Sequence, residues 1–312
     1  MAHVVICEFM DQPAVERLKK KFSVVYDPKL VDQPAELAAA IQSADALIVR
    51  NRTQVTAALL ASGPKLRVVG RLGVGLDNID LNACADRNVT VIPATGANAR
   101  AVAEYVIGSA FVLMRGCFSA SAAVAAGKWP RLDFSNGLEL EHRTLGLVGF
   151  GFIGRLVAKL AIPLGMKVVA YDPALSESDP AFAQHQVSRC GSLDTLLQQS
   201  DVVSLHVPLT DATRNLINAE KLARMKSSAV LINTARGGVI DETALRDALL
   251  AGKLRGAALD VFASEPLPAN VHPADLPSLI MTPHIAGLTQ EANERVSSLI
   301  AERVEQALET AV

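Results

Sequence analysis

The chain has 312 residues and a formal net charge of -2; half of its residues are hydrophobic and a fifth are charged. This composition is typical of a globular protein with a large core, and the length favours about two domains. The near-neutral charge gives no indication of a nucleic-acid or membrane-surface partner.

The four cysteines are far apart, and the six histidines have no metal-ligand spacing. We therefore expect buried, reduced thiols and no metal site. The first residues form a predicted strand without a basic segment before it, so no signal peptide is expected. The longest apolar stretch, residues 106–114, is too short to span a bilayer. Together these features predict a cytoplasmic protein.

Short apolar strands alternate with helices in the first part of the chain. The strands are continuous apolar runs, which indicates a parallel sheet covered by helices on both faces. Asp11 and Asp80 are predicted to cap helices. The predicted strands are residues 4–9, 24–26, 44–49, 66–70 and 89–92.

Asn98 is predicted to cap a long helix that ends at Arg115. The next segment, residues 119–134, is rich in small residues and contains Trp129, the only tryptophan. Two interpretations of the whole arm, residues 117–143, stay open. It forms an oligomer contact, or it is a surface excursion packed on its own chain.

Residues 144–172 have the pattern strand, glycine turn, helix, strand. The turn is a G-x-G-x-x-G formed by Gly149, Gly151 and Gly154. In a dinucleotide site these glycines permit the tight turn, the approach of a pyrophosphate and close packing of helix on strand. The helix N-terminus then offers free N–H groups to the phosphates. The alternative is an ordinary strand–helix–strand turn, but two flanking apolar strands and an acid that ends the second favour the dinucleotide.

Asp172 is that acid, and it indicates which dinucleotide binds. A carboxylate at this position accepts hydrogen bonds from the adenosine ribose and repels a 2′-phosphate. The residues that follow are Pro173 and Ala174, and no arginine is close in sequence. The sequence therefore predicts NAD rather than NADP.

The rest of the second unit continues the alternation of strand and helix. A doubly wound sheet of six or seven strands is complete by about residue 282, and the helix 289–308 is left over. That helix is a candidate for packing back on the first unit, which would make that unit discontinuous. The later strands of this sheet are predicted at residues 201–207, 229–234, 256–261 and 279–281.

Polar side chains follow four of these strands, at the sheet edge where doubly wound folds bind ligands. Arg236 precedes two glycines, and a guanidinium there suits a substrate carboxylate. His284 carries an imidazole, the side chain best suited to general acid–base work near neutral pH. Glu265 is the nearest carboxylate in sequence that can orient it. Singly, each residue has a plain structural alternative, such as a buried histidine or a carbonyl-capping arginine. Together with NAD they indicate hydride transfer on a 2-hydroxy acid.

Several long motifs in order resemble the D-isomer-specific 2-hydroxyacid dehydrogenase family, which includes D-3-phosphoglycerate dehydrogenase. The resemblance covers essentially the whole chain. It rests on VGRLGVGLDNID (69–80), GFGFIG (149–154) with Asp172, HVPLT (206–210), NTARGGVIDETAL (233–245), ALDVFASEP (258–266) and TPHIAGLT (282–289).

The resemblance implies two doubly wound, parallel-sheet α/β domains, with a Rossmann NAD-binding domain (99–283) inserted in a flavodoxin-like substrate or lid domain (1–98 and 284–312). Closure of the lid would exclude water from the hydride path. It also implies a homodimer formed through the arm. The catalytic set would be Arg236, Glu265 and His284. The residues lining NAD would be Gly149, Gly151, Phe152, Ile153, Gly154, Asp172, His206, Val207, Pro208, Thr213, Thr234, Ala235, Arg236, Asp260, His284 and Gly287.

The substrate side is expected to include the loop Leu72, Gly73 and Val74, together with Asn98 and Arg236. Arg50, Arg52 and Arg71 end or follow strands of the first unit, and extra cations there suit a second anion at C3 of the substrate. The 3-phosphoglycerate and 3-sulfolactate types are therefore favoured. Arg52 can equally be a surface residue, and Arg50 a structural ion-pair partner.

Two other functions stay open. One is a glyoxylate or hydroxypyruvate reductase, or another oxidoreductase with the same three catalytic residues. The second is a non-catalytic, NADH-sensing scaffold, because transcriptional corepressors resemble this family. The scarcity of residues before the first strand and after the last helix argues against the scaffold, and we expect no C-terminal regulatory domain.

Overall fold

The computed structural model describes residues 1–271, 276 and 278–310. The chain divides into two units, one formed by Met1–Asn98 with Leu288–Val312 and the other by Ala99–Gly287. Each unit contains one parallel sheet. Every strand pairing within the two sheets is parallel, so the strands of each sheet all end at the same edge.

The first unit has a five-stranded sheet in the order β2-β1-β3-β4-β5, the strand order of flavodoxin. Its strands are β1 (His3–Ile6), β2 (Ser23–Tyr26), β3 (Ala46–Val49), β4 (Val68–Arg71) and β5 (Thr90–Pro93). Its helices are α1 (Gln12–Lys19), α2 (Pro34–Ala40), α3 (Ala57–Ser62), α4 (Leu81–Asp86) and the C-terminal α12 (Gln290–Thr310).

Apolar side chains cover both faces of this sheet, as the continuous apolar strands predict. Val4 and Ile6 of β1 belong to one core cluster, and Val5 belongs to the cluster on the other face. The helix α12 packs on the first of these faces through Val296, Ile300 and Val304 among others. The last helix of the chain is therefore part of the unit that contains the first residues.

The second unit has a seven-stranded sheet in the order β12-β11-β10-β9-β6-β7-β8. This is the Rossmann order with one further strand, and the order reverses between β6 and β9. The strands are β6 (Thr144–Val148), β7 (Lys167–Tyr171), β8 (Ser188–Arg189), β9 (Val202–Leu205), β10 (Val230–Asn233), β11 (Gly256–Leu259) and β12 (Leu279–Met281). The helices are α5 (Ala99–Arg115), α6 (Ser121–Ala125), α7 (Phe152–Ala161), α8 (Pro180–Gln184), α9 (Leu193–Gln199), α10 (Ala219–Arg224) and α11 (Glu242–Leu250).

These two sheets confirm the predicted fold class of two doubly wound α/β units. Within the described ranges, no single helix is both long and apolar enough to cross a membrane. The segments Ala99–Arg115 and Cys117–Ala125, which meet at a bend of 68°, reach the necessary length and apolarity only when taken together.

Candidate active site

The predicted cofactor and catalytic residues of the second unit follow six different strands at one edge of its sheet. The glycine turn follows β6, Asp172 follows β7 and His206 follows β9. The segment 234–236 follows β10, Asp260 follows β11, and His284 comes three residues after the end of β12. Because parallel strands end at a common edge, residues distant in sequence are brought to one side of the sheet, where such folds bind their ligands.

The three glycines of the turn differ in the space around them: Gly149 and Gly154 are tightly packed, and Gly151 is open. Gly149 has φ +93°, and a Cβ there would lie 2.5 Å from the carbonyl oxygen of His206. A Cβ on Gly154 would lie 2.6 Å from the oxygen of Gly149. A Cβ on Gly151 meets no atom within 4 Å, and Gly151 makes no side-chain cap on α7. The open side at Gly151 and the uncapped N–H groups of α7 therefore fit a pyrophosphate.

Asp172 is half-buried and tied to the glycine turn. One carboxylate oxygen accepts from the backbone N–H of Phe150 at 2.8 Å, and the other accepts from that of Ala174 at 3.0 Å. These bonds fix the carboxylate beside the turn while each oxygen keeps acceptor capacity. The position fits a group that accepts from ribose hydroxyls, and its charge disfavours a 2′-phosphate.

Other predicted cofactor residues form the loops after β9 and β10. The half-buried His206 ring has Nε2 3.0 Å from the Ser204 hydroxyl, and burial lowers the pKa of this imidazole to about 4. Thr213 donates its hydroxyl to the carbonyl oxygen of Pro208 at 2.6 Å, which shapes the loop after β9. The buried Thr234 Oγ1 has no hydrogen-bond partner among the described residues, so it is available to a ligand.

Arg236 lies in a loop that Asn233, the last residue of β10, holds in shape. The Asn233 side chain donates to the carbonyl oxygen of Arg236 at 2.9 Å and accepts from the N–H of Ala235 at 3.0 Å. A Cβ on Gly237 would lie 1.8 Å from the carbonyl oxygen of Phe262. Only glycine fits at this close approach, which brings the Arg236 loop against the segment that leads to Glu265.

Glu265 and His284 form a direct pair. Nδ1 of His284 lies 2.7 Å from Oε2 of Glu265, and Oε1 of the same carboxylate accepts from the N–H of Phe262 at 3.0 Å. The two side chains are 44% and 36% exposed, so the pair is accessible to a ligand. The carboxylate orients the ring and leaves Nε2 as the nitrogen that this contact does not use.

His284 adopts a left-handed backbone conformation, with φ +56°. This conformation costs a residue other than glycine about 1–2 kcal/mol, so the surroundings must impose it. The buried Asp260 carboxylate accepts from the N–H groups of Ile285 and Ala286, each at 2.8 Å. Asp260 was predicted to line NAD; in the structure its carboxylate holds the loop that carries His284.

In the first unit, Arg50 and Arg52 have different surroundings. The Arg50 guanidinium is partly buried, donates to the neutral Asn293 side chain at 2.6 Å and lies 5.9 Å from the centre of the Phe9 ring. Burial lowers the pKa of Arg50, although Glu8 opposes this effect. Arg52 forms an ion pair with Asp32 in which both side chains are exposed. Arg50 is therefore the better candidate for an anionic ligand.

The remaining substrate-side residues also divide into distinct roles. The Leu72 side chain is buried in the core, so only its backbone can reach a ligand, whereas Val74 is 37% exposed. A Cβ on Gly73 would overlap the Arg71 guanidinium, which therefore lies against the loop backbone. The predicted Asn98 cap is wrong, because its buried Oδ1 has no hydrogen-bond partner in the described part of the chain.

Three residues near the site were not predicted from the sequence. Asn233 is a polar residue at the end of an apolar strand, and Thr282 is in the same motif as His284. Both would have been found if every polar residue at the end of a predicted strand had been taken as a candidate site residue. Tyr105 is in α5, and its hydroxyl lies 2.7 Å from that of Thr282. No periodic signal marks this tyrosine among the apolar residues around it.

Comparisons with known proteins identify the family of the chain. The family model described as D-isomer specific 2-hydroxyacid dehydrogenase, NAD binding domain, matches residues 107–286. The (S)-sulfolactate dehydrogenase of Chromohalobacter salexigens is 50% identical over 308 residues and 99% of both chains. The hydroxypyruvate reductase of Thermotoga maritima is 39% identical over 95% of this chain and 94% of its own. The D-3-phosphoglycerate dehydrogenase of Synechocystis sp. is 38% identical over 99% of this chain, which spans about half (54%) of that protein.

Solved structures show the same similarity. The TT0316 protein from Thermus thermophilus has a TM-score of 0.86 at 34% identity and covers 99% of this chain and 97% of its own. A D-lactate dehydrogenase from Aquifex aeolicus, in complex with NAD and lactic acid, has a TM-score of 0.82 at 28% identity over 99% and 96% of the two chains. The predictions of the family and of NAD as the cofactor are confirmed. The chain therefore belongs to the D-isomer-specific 2-hydroxyacid dehydrogenase family and is an NAD-dependent oxidoreductase that acts on a CH–OH group.

Proposed function

We propose that the substrate is a small 2-hydroxy acid with a second anionic group at C3, and that 3-sulfolactate is the preferred one. The half-buried Arg50 guanidinium supports this proposal most strongly, because it is hydrogen-bonded to a neutral amide and forms no ion pair among the described residues. Such a cation suits a sulfonate or phosphate. The 50% identity to a (S)-sulfolactate dehydrogenase over nearly the whole of both chains supports the sulfonate.

The stereochemical label of that relative's substrate is consistent with a D-specific family. In 3-sulfolactate the sulfur-bearing carbon takes priority over the carboxyl carbon, whereas in lactate the methyl carbon ranks below it. The (S) form of sulfolactate therefore has the same arrangement in space as D-lactate. A site that accepts D-2-hydroxy acids would accept (S)-sulfolactate without any change of handedness.

The proposed reaction assigns one task to each of three residues. Arg236 binds the substrate carboxylate and polarises the C2 oxygen. His284 accepts the C2 hydroxyl proton through Nε2 as C2 gives up its hydride, and returns that proton when the reaction runs in reverse. Glu265 stabilises the imidazolium that forms, through the 2.7 Å contact with Nδ1. Bound NAD supplies the hydride acceptor; Gly151, the N-terminus of α7 and Asp172 would hold it.

The direct test follows NADH absorbance while purified enzyme is offered sulfopyruvate, phosphohydroxypyruvate, hydroxypyruvate and glyoxylate. We expect the largest kcat/KM with sulfopyruvate and a loss of that preference in Arg50→Gln. The matched control is Arg52→Gln, because Arg52 is engaged in an exposed ion pair. Equal kcat/KM for sulfopyruvate and hydroxypyruvate would contradict the proposal.

A hydroxypyruvate reductase is the second candidate, supported by the relative of that name from Thermotoga maritima. It predicts the highest kcat/KM with hydroxypyruvate and no effect of Arg50→Gln on the ranking of substrates. Tight NADH binding without turnover of any 2-oxo acid would instead favour the non-catalytic scaffold.

We also propose a cytoplasmic homodimer that forms through the arm. The arm exposes three large apolar residues, with Phe118 59%, Trp129 80% and Leu132 84% exposed. Single exposed apolar residues are common on protein surfaces, whereas several in one segment indicate an interaction surface. Trp129 is the only tryptophan, so its fluorescence reports this surface alone. On dilution, we expect a red shift of the emission in step with dissociation measured by analytical ultracentrifugation. A monomer at micromolar concentration would contradict the dimer.

The proposed cytoplasmic location is supported by the four free cysteines, because thiols stay reduced in the cytoplasm.

A further inference from the structure

A chain of hydrogen bonds connects α5 to the loop that carries His284. The Tyr105 hydroxyl lies 2.7 Å from Oγ1 of Thr282, and Oγ1 of Thr282 donates to Oδ1 of Asp260 at 2.6 Å. The Asp260 carboxylate in turn accepts from the N–H groups of Ile285 and Ala286 at 2.8 Å. All of these residues belong to the second unit.

The donor in each of these hydrogen bonds follows from the number of protons that the hydroxyl groups carry. A threonine hydroxyl has one proton, and Thr282 donates it to Asp260. The proton between Tyr105 and Thr282 must therefore come from the tyrosine. Each bond polarises the next, so donation by Tyr105 strengthens the bond from Thr282 to Asp260.

Asp260 connects this series of hydrogen bonds to the loop that carries His284. Its side chain is 1% exposed, and it accepts two successive backbone N–H groups directly after the left-handed His284. Successive N–H groups in such a turn form a concave site for an anion, and Asp260 fills it. Its backbone oxygen also accepts from the N–H of His284 at 2.8 Å. A displacement of this carboxylate would therefore rotate the loop and move the imidazole.

We propose that Tyr105 is a positioning residue for the reaction, because through Thr282 it holds Asp260 against the loop that carries His284. Tyr105 acts through Thr282 and is not proposed to touch the reacting atoms. The inference rests on the proposed role of His284, and it concerns turnover rather than cofactor or substrate affinity. Burial raises the pKa of Tyr105, which keeps the hydroxyl protonated as a donor at neutral pH.

The test compares four variants with the unmodified enzyme for NADH-dependent reduction of sulfopyruvate and hydroxypyruvate. Tyr105→Phe removes one hydroxyl, and we expect kcat to fall about 3- to 10-fold, as the loss of one neutral hydrogen bond allows. Thr282→Val removes the donor to a carboxylate and should lower kcat about 10- to 100-fold. Thr282→Ser keeps the hydroxyl and should restore most of the rate. The double variant Tyr105→Phe/Thr282→Val should be no slower than Thr282→Val, since the tyrosine acts through the threonine.

Three readouts separate positioning from a loss of stability. NADH affinity and the KM of the 2-oxo acid should change less than 2-fold in Tyr105→Phe, and in a His284→Gln background Tyr105→Phe should cause no further loss. The matched control is Ser200→Ala, which removes a buried hydroxyl that donates to Leu196 at 2.6 Å, just before β9 begins and at the opposite edge of the sheet. It should lower the melting temperature without lowering kcat.

An unchanged kcat in Tyr105→Phe, or a double variant whose losses multiply, would overturn the inference while leaving the proposed function intact. A kcat loss that persists at full size in the His284→Gln background would also overturn it. Absence of turnover by the unmodified enzyme with either 2-oxo acid would overturn the proposed function, and this inference with it.

Discussion

Oε2 of Glu265 lies 2.7 Å from Nδ1 of His284, and the second oxygen of Glu265 is held by the N–H of Phe262. One carboxylate oxygen is thus fixed by the backbone, and the other orients the imidazole ring. The backbone of His284 is held separately, by its bonds to Asp260 and Thr282. Ring and backbone are therefore constrained by different groups, and changes to each can be tested independently.

Glu265→Gln should preserve the shape of the pair and remove its charge. Because the carboxylate favours the imidazolium, we expect kcat for 2-oxo acid reduction to fall about 10- to 100-fold. Steady-state rates at a fixed neutral pH test this, with the exposed Glu220→Gln as control. A kcat within about 2-fold of that of the unmodified enzyme would remove Glu265 from the proposed mechanism.

Arg236→Lys should fail to replace arginine even though the charge is kept. A lysine cannot make two parallel hydrogen bonds to a carboxylate, so kcat/KM should fall about 100-fold or more. Addition of guanidinium to an Arg236→Ala variant should restore part of the lost rate, whereas it should not affect the unmodified enzyme. A lysine variant within about 3-fold of normal kcat/KM would show that bidentate binding is not needed.

Gly151→Ala should separate folding from cofactor binding. The added Cβ meets no protein atom within 4 Å, so the melting temperature should stay within about 2 °C of normal. A pyrophosphate at this position would meet the methyl group, so the dissociation constant for NADH should rise about 10-fold or more. Gly191→Ala, which also has open space, is the control and should change neither quantity. Normal NADH binding by Gly151→Ala would place the phosphates elsewhere.

His206 should make stability fall on acidification. Its folded-state pKa of about 4 lies below the value of about 6.5 expected for an unfolded chain. The unfolded state therefore binds the extra proton between these pH values, and the free energy of unfolding decreases as the pH falls from 6.5 to 4. Full burial would give about 3 kcal/mol, and the half-buried ring should give less. Urea unfolding of the unmodified protein and of His206→Asn at pH 7, 5.5 and 4.5 should show a smaller loss in the variant. Equal losses would exclude His206 as a source of the acid sensitivity.

Local sequence signals predicted the sheets and the glycine turn because each depends on neighbouring residues. The apolar runs are long enough to mark strands, and Asp80 accepts from the N–H of Ala83 at 2.9 Å, as a helix cap should. The predicted cap at Asn98 is wrong, since its Oδ1 has no hydrogen-bond partner among the described residues. Asp11 does lie at the N-cap position of α1, but its side chain makes no cap bond, and its backbone N–H donates to Ser297 in α12.

The parts of the site that were not predicted depend on the pairing of distant strands. β11 lies beside β12 in the sheet, which brings Asp260 to the loop of His284. That register decides which group the carboxylate binds, and no local pattern around Asp260 encodes it. The partner of Arg52 is likewise not encoded locally, because Asp32 lies at the end of a short 3-10 helix elsewhere in the first unit.

In the proposed reaction, His284 transfers the proton while NAD, held by the second unit, accepts the hydride. The most direct measurement is the single-turnover rate of NADH oxidation in His284→Ala with sulfopyruvate at saturating concentration, together with the dissociation constant for NADH. We predict a rate lower by about 100-fold or more and NADH binding within about 2-fold of normal. A rate within a few-fold of that of the unmodified enzyme would contradict the role of His284 in proton transfer.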